Sequence, residues 1–244
     1  MKKIFILFSV MMISLGIRAQ SKSDDSVAVL ILDRMSGVIS DMESCSFKLT
    51  TEADVMEHPY GLVKKFGEYE TFMSGPNKMM VIGRGYKGHR QFVYNGQQLA
   101  YYSFDEHNYG AIPAPSTTIR TIDSVHSTYG IEFPAADFFY PAFTDDLIEN
   151  TDSIRFLGTP TIEGKQYFHI IAYAKEMNLQ FWINDDAYTL PGKFSITYKN
   201  QEGNPQYLAS FSDWQINPEL PDAMFDFYPP PGSRQIRIMS KNER

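Results

Sequence analysis

The chain has 244 residues, of which 43% are hydrophobic and 21% charged, and it contains one cysteine. This composition is typical of a globular protein and excludes a disordered tail, a collagen or a disulfide scaffold. The net charge is −7 and would become −10 on removal of a leader that holds Lys2, Lys3 and Arg18, so nucleic acid is not expected as a partner. Aromatic residues reach 14%, which favours extensive β-structure and an apolar binding surface.

Residues 1–19 have the pattern of a bacterial export signal. A basic start precedes a mostly apolar run over residues 4–17, and Ala19 is a small residue at the expected cleavage site. The run is shorter than the roughly 20 residues that a membrane-spanning helix needs. We therefore expect a processed single domain of residues 20–244 in the periplasm, without a transmembrane anchor, and we consider secretion into the medium less favoured.

Helical periodicity is confined to two regions. Apolar residues recur every three or four positions over residues 27–42, after an acidic pair that ends at Asp25, which predicts an amphipathic helix. In the middle of the chain, Ser116 can cap a second helix that ends at Gly130, and a short helix is predicted from Pro134.

Elsewhere the apolar residues alternate, which is typical of β-strands. Residues 45–113 predict six antiparallel strands, and Asn95-Gly96 is a strong hairpin signal between two of them. Cys45 alternates with Phe47 and Leu49, so we expect it to be buried as a small hydrophobic residue. Five more strands are predicted over residues 153–157, 166–174, 179–184, 193–199 and 206–215.

About eleven strands in one antiparallel sheet predict a strongly curved half-barrel, because strand twist accumulates across the sheet. The fold class is therefore α+β, with the helices covering the concave face. The apolar rows of the later strands should point towards those helices. These rows are Leu179, Phe181 and Ile183, then Phe194 and Ile196, then Tyr207, Ala209 and Phe211.

Catalytic and cofactor motifs are not found in the sequence. It has no nucleophile elbow, no His-Glu-x-x-His, no Cys-x-x-Cys and no phosphate-binding glycine loop, and its five histidines lack metal-ligand spacing. The acidic pairs Asp145-Asp146 and Asp185-Asp186 are predicted to lie in solvated loops. We therefore expect no catalytic residue, no metal and no cofactor. A Ser-His pair within hydrogen-bond distance in a cleft would instead favour a hydrolase.

Six segments follow one another in a specific order: Tyr94-Asn95-Gly96, residues 112–115, residues 129–137, residues 193–199, residues 211–214 and residues 220–225. This ordered series resembles the family called domain of unknown function 2092, a predicted periplasmic family. That family is in turn similar to the lipoprotein-carrier fold of the LolA and LolB type, an open half-barrel whose helices close over an apolar cavity. The resemblance implies a lipid-binding or lipoprotein-binding module.

The leading hypothesis is a non-enzymatic periplasmic protein that binds a lipid, an acyl chain or a lipoprotein moiety between the curved sheet and the helices. The alternative is an envelope protein-interaction or stress-sensing module without lipid cargo, with another envelope protein as its partner. A carrier needs an apolar cavity, whereas an interaction module can have a packed interior. The candidate cavity-lining residues are Ile119, Ile122, Phe138, Phe139, Leu179, Phe181, Phe194, Ile196, Tyr207 and Phe211.

Overall fold

The computed structural model describes residues 24–243, so the leader expected over residues 1–19 and its cleavage site lie outside the described residues. Within the described range there are three α-helices, α1 (Ser26–Ser40), α2 (Thr118–Tyr129) and α3 (Phe143–Asn150), and 3₁₀ helices at Ala136–Phe139, Asp222–Phe225 and Lys241–Glu243. The strands are β1 (Ser44–Glu57), β2 (Gly61–Ser74), β3 (Lys78–Gly85), β4 (Arg90–Tyr94), β5 (Gln98–Ser103), β6 (Asn108–Pro113), β7 (Ser153–Gly158), β8 (Thr161–Ile162), β9 (Lys165–Tyr173), β10 (Met177–Asn184), β11 (Pro191–Tyr198), β12 (Gln206–Ile216) and β13 (Arg234–Gln235).

These strands form one open sheet in the order β13-β6-β5-β4-β3-β2-β1-β12-β11-β10-β9-β7, with β8 paired to β9. Neighbours are antiparallel except for β13, which pairs with β6 in parallel. The long strand β1 pairs with β2 on one side and with β12 on the other, so it joins the two β-rich parts of the chain. The predicted curved antiparallel half-barrel is confirmed.

The sheet has thirteen strands where about eleven were expected. The eleven predicted strands are all present. The two additional strands, β8 and β13, have two residues each, which is too short for an alternation of apolar and polar residues to be visible.

Two helix boundaries follow the capping chemistry. The Asp25 carboxylate accepts a hydrogen bond from the Val27 N–H at 2.9 Å and begins α1. Helix α2 begins after Thr117, whose hydroxyl accepts from the Arg120 N–H, so the predicted cap at Ser116 was wrong by one residue. The helix ends at Gly130, with φ 68°, as predicted.

The chain between α2 and β7 differs from the prediction. The short helix expected from Pro134 is a 3₁₀ helix over Ala136–Phe139, and helix α3 follows it. Asp145 and Asp146 occupy the first turn of α3 and not a loop, so that prediction was wrong; their charges are favourable at the positive end of a helix.

The helices divide the concave face into two apolar clusters. One lies between α2 and strands β3 to β6 and contains Ile122, Val125 and Phe133. The other lies between α1, α3, the 3₁₀ helix and the strands β1, β7 and β9 to β12, and it includes Cys45, which is 3% exposed as expected. The space where the two clusters meet contains the candidate site.

Candidate functional site

The ring of Phe138 is at the centre of the aromatic residues that the sequence assigned to a cavity. Its centroid lies 6.0 Å from that of Phe181, 5.2 Å from that of Phe194 and 5.5 Å from that of Phe211. Phe143 of α3, which the sequence analysis missed, stacks on Phe138 at 5.1 Å. The rings fill the space between them, so this aromatic cluster is packed.

The other candidate residues surround this cluster or lie beyond it. Leu179 and Ile196 are buried in the same apolar core, and Phe139 stacks on Phe47 at 5.8 Å. Ile119 is half-buried on α2, whereas Ile122 faces the sheet. The structure therefore brings most of the candidates together as packed core and not as a common wall.

A cavity of about 320 Å³ lies beside the aromatic cluster, under the chain that follows α2. Of the candidates, Ile122, Phe194 and Tyr207 line it. The remaining lining residues were not among the candidates; they are Thr51, Tyr69, Tyr86, Lys87, Arg90, Asp123, His126, Ile131, Glu132, Phe133, Pro134, Ala135, Ala136, Asp137, Tyr140, Phe143 and Asp146.

The floor of the cavity is the ring of Tyr69, which lies across two glycines. Tyr69 of β2 is directly opposite Gly83 of β3. A Cβ atom at Gly83 would lie 2.8 Å from a carbon of the Tyr69 ring, and one at Gly67 would lie 3.1 Å from another. Glycine at both positions therefore leaves the room that the Tyr69 ring occupies.

The roof is formed by residues 131–140, which we call the cover segment. Ala135 has φ 63°, a left-handed conformation that is uncommon for a residue with a Cβ atom. Phe133 packs edge-to-face against Phe92 of β4, with centroids 5.3 Å apart. Further along the segment, the Phe138 ring inserts into the aromatic cluster. Two aromatic residues therefore anchor the cover segment to opposite halves of the sheet.

Polar contacts add to this attachment. The Tyr140 hydroxyl donates a hydrogen bond to the Asp123 carboxylate of α2. Glu132 forms an ion pair with Lys87 across 3.6 Å. Because both pairs are partly solvated, each contributes about 1 kcal/mol or less, and the aromatic anchors contribute more to holding the segment.

Burial changes the acidity of several groups at the cavity. Desolvation raises the pKa of the Asp137 carboxyl, and the charge of His126 opposes that rise in part. The pKa values of the Tyr198 and Tyr207 hydroxyls are raised, mainly by desolvation and further by the charge of Glu132. The phenols therefore remain neutral, and they can donate or accept hydrogen bonds.

Neither a metal site nor a membrane-spanning helix is found among residues 24–243. No group of three or more His, Cys, Asp or Glu side chains in this range is arranged to hold a metal ion. Among the same residues, none of the helices has the length and apolar character needed to cross a membrane.

Three of the solved structures with a similar fold share 10 to 11% sequence identity with this chain. LprF from Mycobacterium bovis has a TM-score of 0.49, with coverage of 82% of this chain and 98% of LprF. A LolA superfamily protein from Nitrosomonas europaea has a TM-score of 0.35, with coverage of 82% of this chain and 97% of that protein. The Pseudomonas aeruginosa MucA/MucB complex has a TM-score of 0.46, with coverage of 83% of this chain and 62% of the matched chain. At scores below 0.5, these likenesses carry no functional argument.

The sequence comparisons are more specific. None of the curated proteins matches this chain. The family described as predicted periplasmic protein, domain of unknown function 2092, matches residues 28–239. This match spans most of the chain and confirms the family and the compartment expected from the sequence. The chain therefore belongs to the domain of unknown function 2092 family of predicted periplasmic proteins.

Proposed function

We propose that the protein is a non-enzymatic periplasmic binding protein that holds the acyl chain of a lipid or lipoprotein in the cavity under the cover segment. The observation that carries this proposal is the mixed lining of that cavity. Ile122, Phe194 and Ile131 provide apolar surface, while charged and hydroxyl-bearing side chains line the rest of the same space. A concave site that combines apolar walls with placed polar groups is characteristic of small-molecule sites.

The size of the cavity sets a limit on its occupant. Its volume of about 320 Å³ is at the lower end of the range for ligand pockets, roughly 300 to 1,000 Å³. A single chain segment fits this volume better than a whole lipid. A longer chain would need to displace side chains of the packed aromatic cluster, in which Phe138 contacts the cavity-lining residues Phe143 and Phe194.

Burial of the chain would provide the driving force. Each methylene removed from water contributes roughly 0.8 kcal/mol, so a few buried methylenes are sufficient for reversible capture after the cost of ordering the chain. The resemblance to the lipoprotein-carrier fold supports the same class of ligand.

The packed aromatic cluster favours the second candidate, an interaction module that binds another envelope protein. In that case the cavity would hold only water. Two aromatic side chains on the hairpin of β1 and β2, Tyr60 in its turn at 82% and Phe66 along β2 at 60% exposure, offer apolar surface for such a partner. Native mass spectrometry of the protein purified from the bacterial periplasm distinguishes the candidates, since only a lipid-binding protein should carry a lipid mass.

A pair of glycine substitutions tests the site itself. Gly83→Ala places a methyl group against the Tyr69 ring and pushes that ring up into the cavity. Exclusion of about two methylenes of ligand, or ~1.6 kcal/mol, should weaken binding of a fluorescent acyl probe about tenfold. Gly37→Ala in α1 is the control, because a Cβ there meets no atom within 4 Å. Equal probe affinity in the two variants would contradict the proposed site, and absence of binding by the unmodified protein would contradict the function.

A further inference from the structure

The hairpin of β1 and β2 extends past the strands beside it. On one side its ladder with β3 ends at Gly67, and on the other its ladder with β12 ends at Ala53. The hairpin continues to the pair Glu57 and Gly61 and closes in a turn that contains Tyr60. At roughly 3.3 Å per residue, the part of β2 before Gly67 spans about 20 Å. We call residues 52–66 the arm.

The arm presents apolar side chains that the core does not use. Eight of its fifteen residues are apolar or aromatic, yet none of the fifteen is buried, whereas Thr51 and Gly67 at its base both are. Tyr60, in the turn, is 82% exposed. An exposed apolar surface of this extent on a folded protein marks a site of contact with another surface.

One face of the arm continues the wall of the cavity. Thr51 lines the cavity, and Ala53 and Val55 follow it on the same face of β1, because alternate residues of a strand share a face. Val63 lies opposite Val55, and the cavity-lining Tyr207 lies opposite Ala53. An apolar strip therefore runs from the cavity towards the turn of the arm.

The charges of the arm offer little to a charged partner. Lys64 pairs with Asp54 at 2.8 Å, and Lys65 pairs with Glu57 at 3.2 Å, so residues 53–65 have no net charge with histidine neutral. An uncharged apolar segment with a tyrosine at its turn suits the interface of a lipid bilayer, where tyrosine is enriched. The net charge of the whole chain is −7, so a zwitterionic bilayer fits better than an anionic one.

The backbone of the arm limits how deeply it can enter a bilayer. Among the described residues, no strand pairs with the outer edge of β1 beyond Ala53 or with that of β2 before Gly67. Those edges keep backbone N–H and C=O groups that need water, which the hydrocarbon core does not supply. The arm must therefore stay at the level of the hydrated head groups, where side chains of its turn can reach the acyl boundary.

We infer that the turn of the arm docks on a zwitterionic phospholipid bilayer and that an acyl chain passes between bilayer and cavity along the strip of Ala53, Val55 and Val63. This inference rests on the proposed function and adds the surface with which the cavity exchanges its ligand. The two steps use different parts of the molecule, because the chain binds in the cavity and the arm contacts the membrane.

Titration of the full chain with phosphatidylcholine vesicles, with bound protein separated by flotation, measures docking. Tyr60→Asp should weaken vesicle binding at least about tenfold, because it replaces an aromatic side chain at the contact with a charge. Tyr188→Asp is the matched control and should keep full binding. Tyr188 is also exposed, at 58%, but it lies between β10 and β11, at the opposite end of the sheet. Circular dichroism checks that both variants are folded.

Transfer of a fluorescent acyl probe from the loaded protein to vesicles tests the path along the strip. For the unmodified protein, the transfer rate should rise in proportion to vesicle concentration, since transfer follows contact. Tyr60→Asp should slow transfer about tenfold and keep its affinity for the probe without vesicles, because Tyr60 does not line the cavity. Tyr188→Asp should transfer the probe at the full rate.

The outcomes separate this inference from the proposed function. Absence of vesicle binding by the unmodified protein, equal binding by Tyr60→Asp, or a transfer rate independent of vesicle concentration would overturn the docking surface, while binding of the acyl probe would still support the proposed function. If the protein docks through Tyr60 but binds no acyl probe, the proposed function and the path fail and the docking surface alone stands.

Discussion

Phe138 and Phe194 are in edge-to-face contact, with ring centroids 5.2 Å apart and an interplanar angle of 64°. Phe138 belongs to the cover segment, whereas Phe194 belongs to β11 and also lines the cavity. This contact therefore joins the roof of the candidate site to the sheet beneath it. It also marks the boundary between the cavity and the packed aromatic cluster.

Phe138→Ala should lower stability and enlarge the cavity at the same time. Phe138 is 3% exposed, and truncation of a buried phenylalanine costs about 3 to 5 kcal/mol. The vacated space adjoins the cavity, so we expect tighter binding of acyl probes with longer chains. Urea unfolding and probe titration measure the two effects. Phe66→Ala is the control, because Phe66 is 60% exposed and its loss should change stability by about 0.5 kcal/mol or less. If stability falls but the preference for chain length does not change, Phe138 does not adjoin the ligand site.

Cys45 should react slowly with a thiol reagent in the native protein and rapidly in denaturant. The side chain is 3% exposed, and burial raises its pKa to about 12, so the reactive thiolate is almost absent at neutral pH. The change in absorbance over time during labelling gives the reaction rate in each state. As a control, Tyr60→Cys in a Cys45→Ala background places a thiol at a position that is 82% exposed, and it should react quickly in both states. Similar native rates for the two thiols would contradict the inward orientation of Cys45.

The inward orientation of Cys45 could be predicted from the sequence, because it depends only on the local alternation of residues along β1. Alternation along one strand fixes which side chains share a face, and this was sufficient to place Phe181, Phe194 and Phe211 on the concave side. Helix α3 was missed because its two buried apolar residues, Phe143 and Leu147, make only one helical repeat, which is too short to establish a period.

The cavity depends on relationships between distant elements. Its floor exists because the register of β2 and β3 sets Tyr69 opposite Gly83, and its roof exists because Ala135 turns the cover segment back over the sheet. Neither is visible in the periodicity of a single segment. Whether apolar side chains fill a space or surround it depends on their volumes in three dimensions, so the sequence identified the aromatic residues without distinguishing core from wall.

Asp137→Asn should stabilise the ligand-free protein at neutral pH. Desolvation raises the pKa of the Asp137 carboxyl in the folded state above its ordinary value of 3.8, so the folded state binds this proton more tightly than the unfolded state does. The associated stability is present below pH 3.8 and is lost as the pH rises through the folded-state pKa. The variant should therefore match the unmodified protein in acid and exceed it above that pKa.

Thermal unfolding of both proteins across this pH range, without ligand, tests the prediction. Asp145→Asn serves as the control, because Asp145 is exposed in the first turn of α3, where its charge is favourable, so this substitution should not stabilise the protein at neutral pH. A constant difference between Asp137→Asn and the unmodified protein at every pH would show that the Asp137 carboxyl is not desolvated in the folded state.

Two substitutions to aspartate distinguish packed core from cavity wall. Phe181 is 3% exposed, contacts the stacked rings of Phe138 and Phe143 edge-to-face, and does not line the cavity. Phe181→Asp strands a charge among apolar groups at a cost of several kcal/mol, comparable with the stability of a whole domain, so this variant should not fold.

Tyr207 is half-buried and lines the cavity, and its replacement by the much smaller aspartate would vacate the desolvated space that the phenol fills, which water could then enter from the cavity. Tyr207→Asp should therefore fold with reduced stability and lose its affinity for an acyl probe, because the charge lies where the chain would bind. Circular dichroism and probe titration test both variants. A folded Phe181→Asp protein would mean that the aromatic cluster opens readily to water. A folded Tyr207→Asp protein that still binds the probe with full affinity would place the acyl chain elsewhere on the molecule.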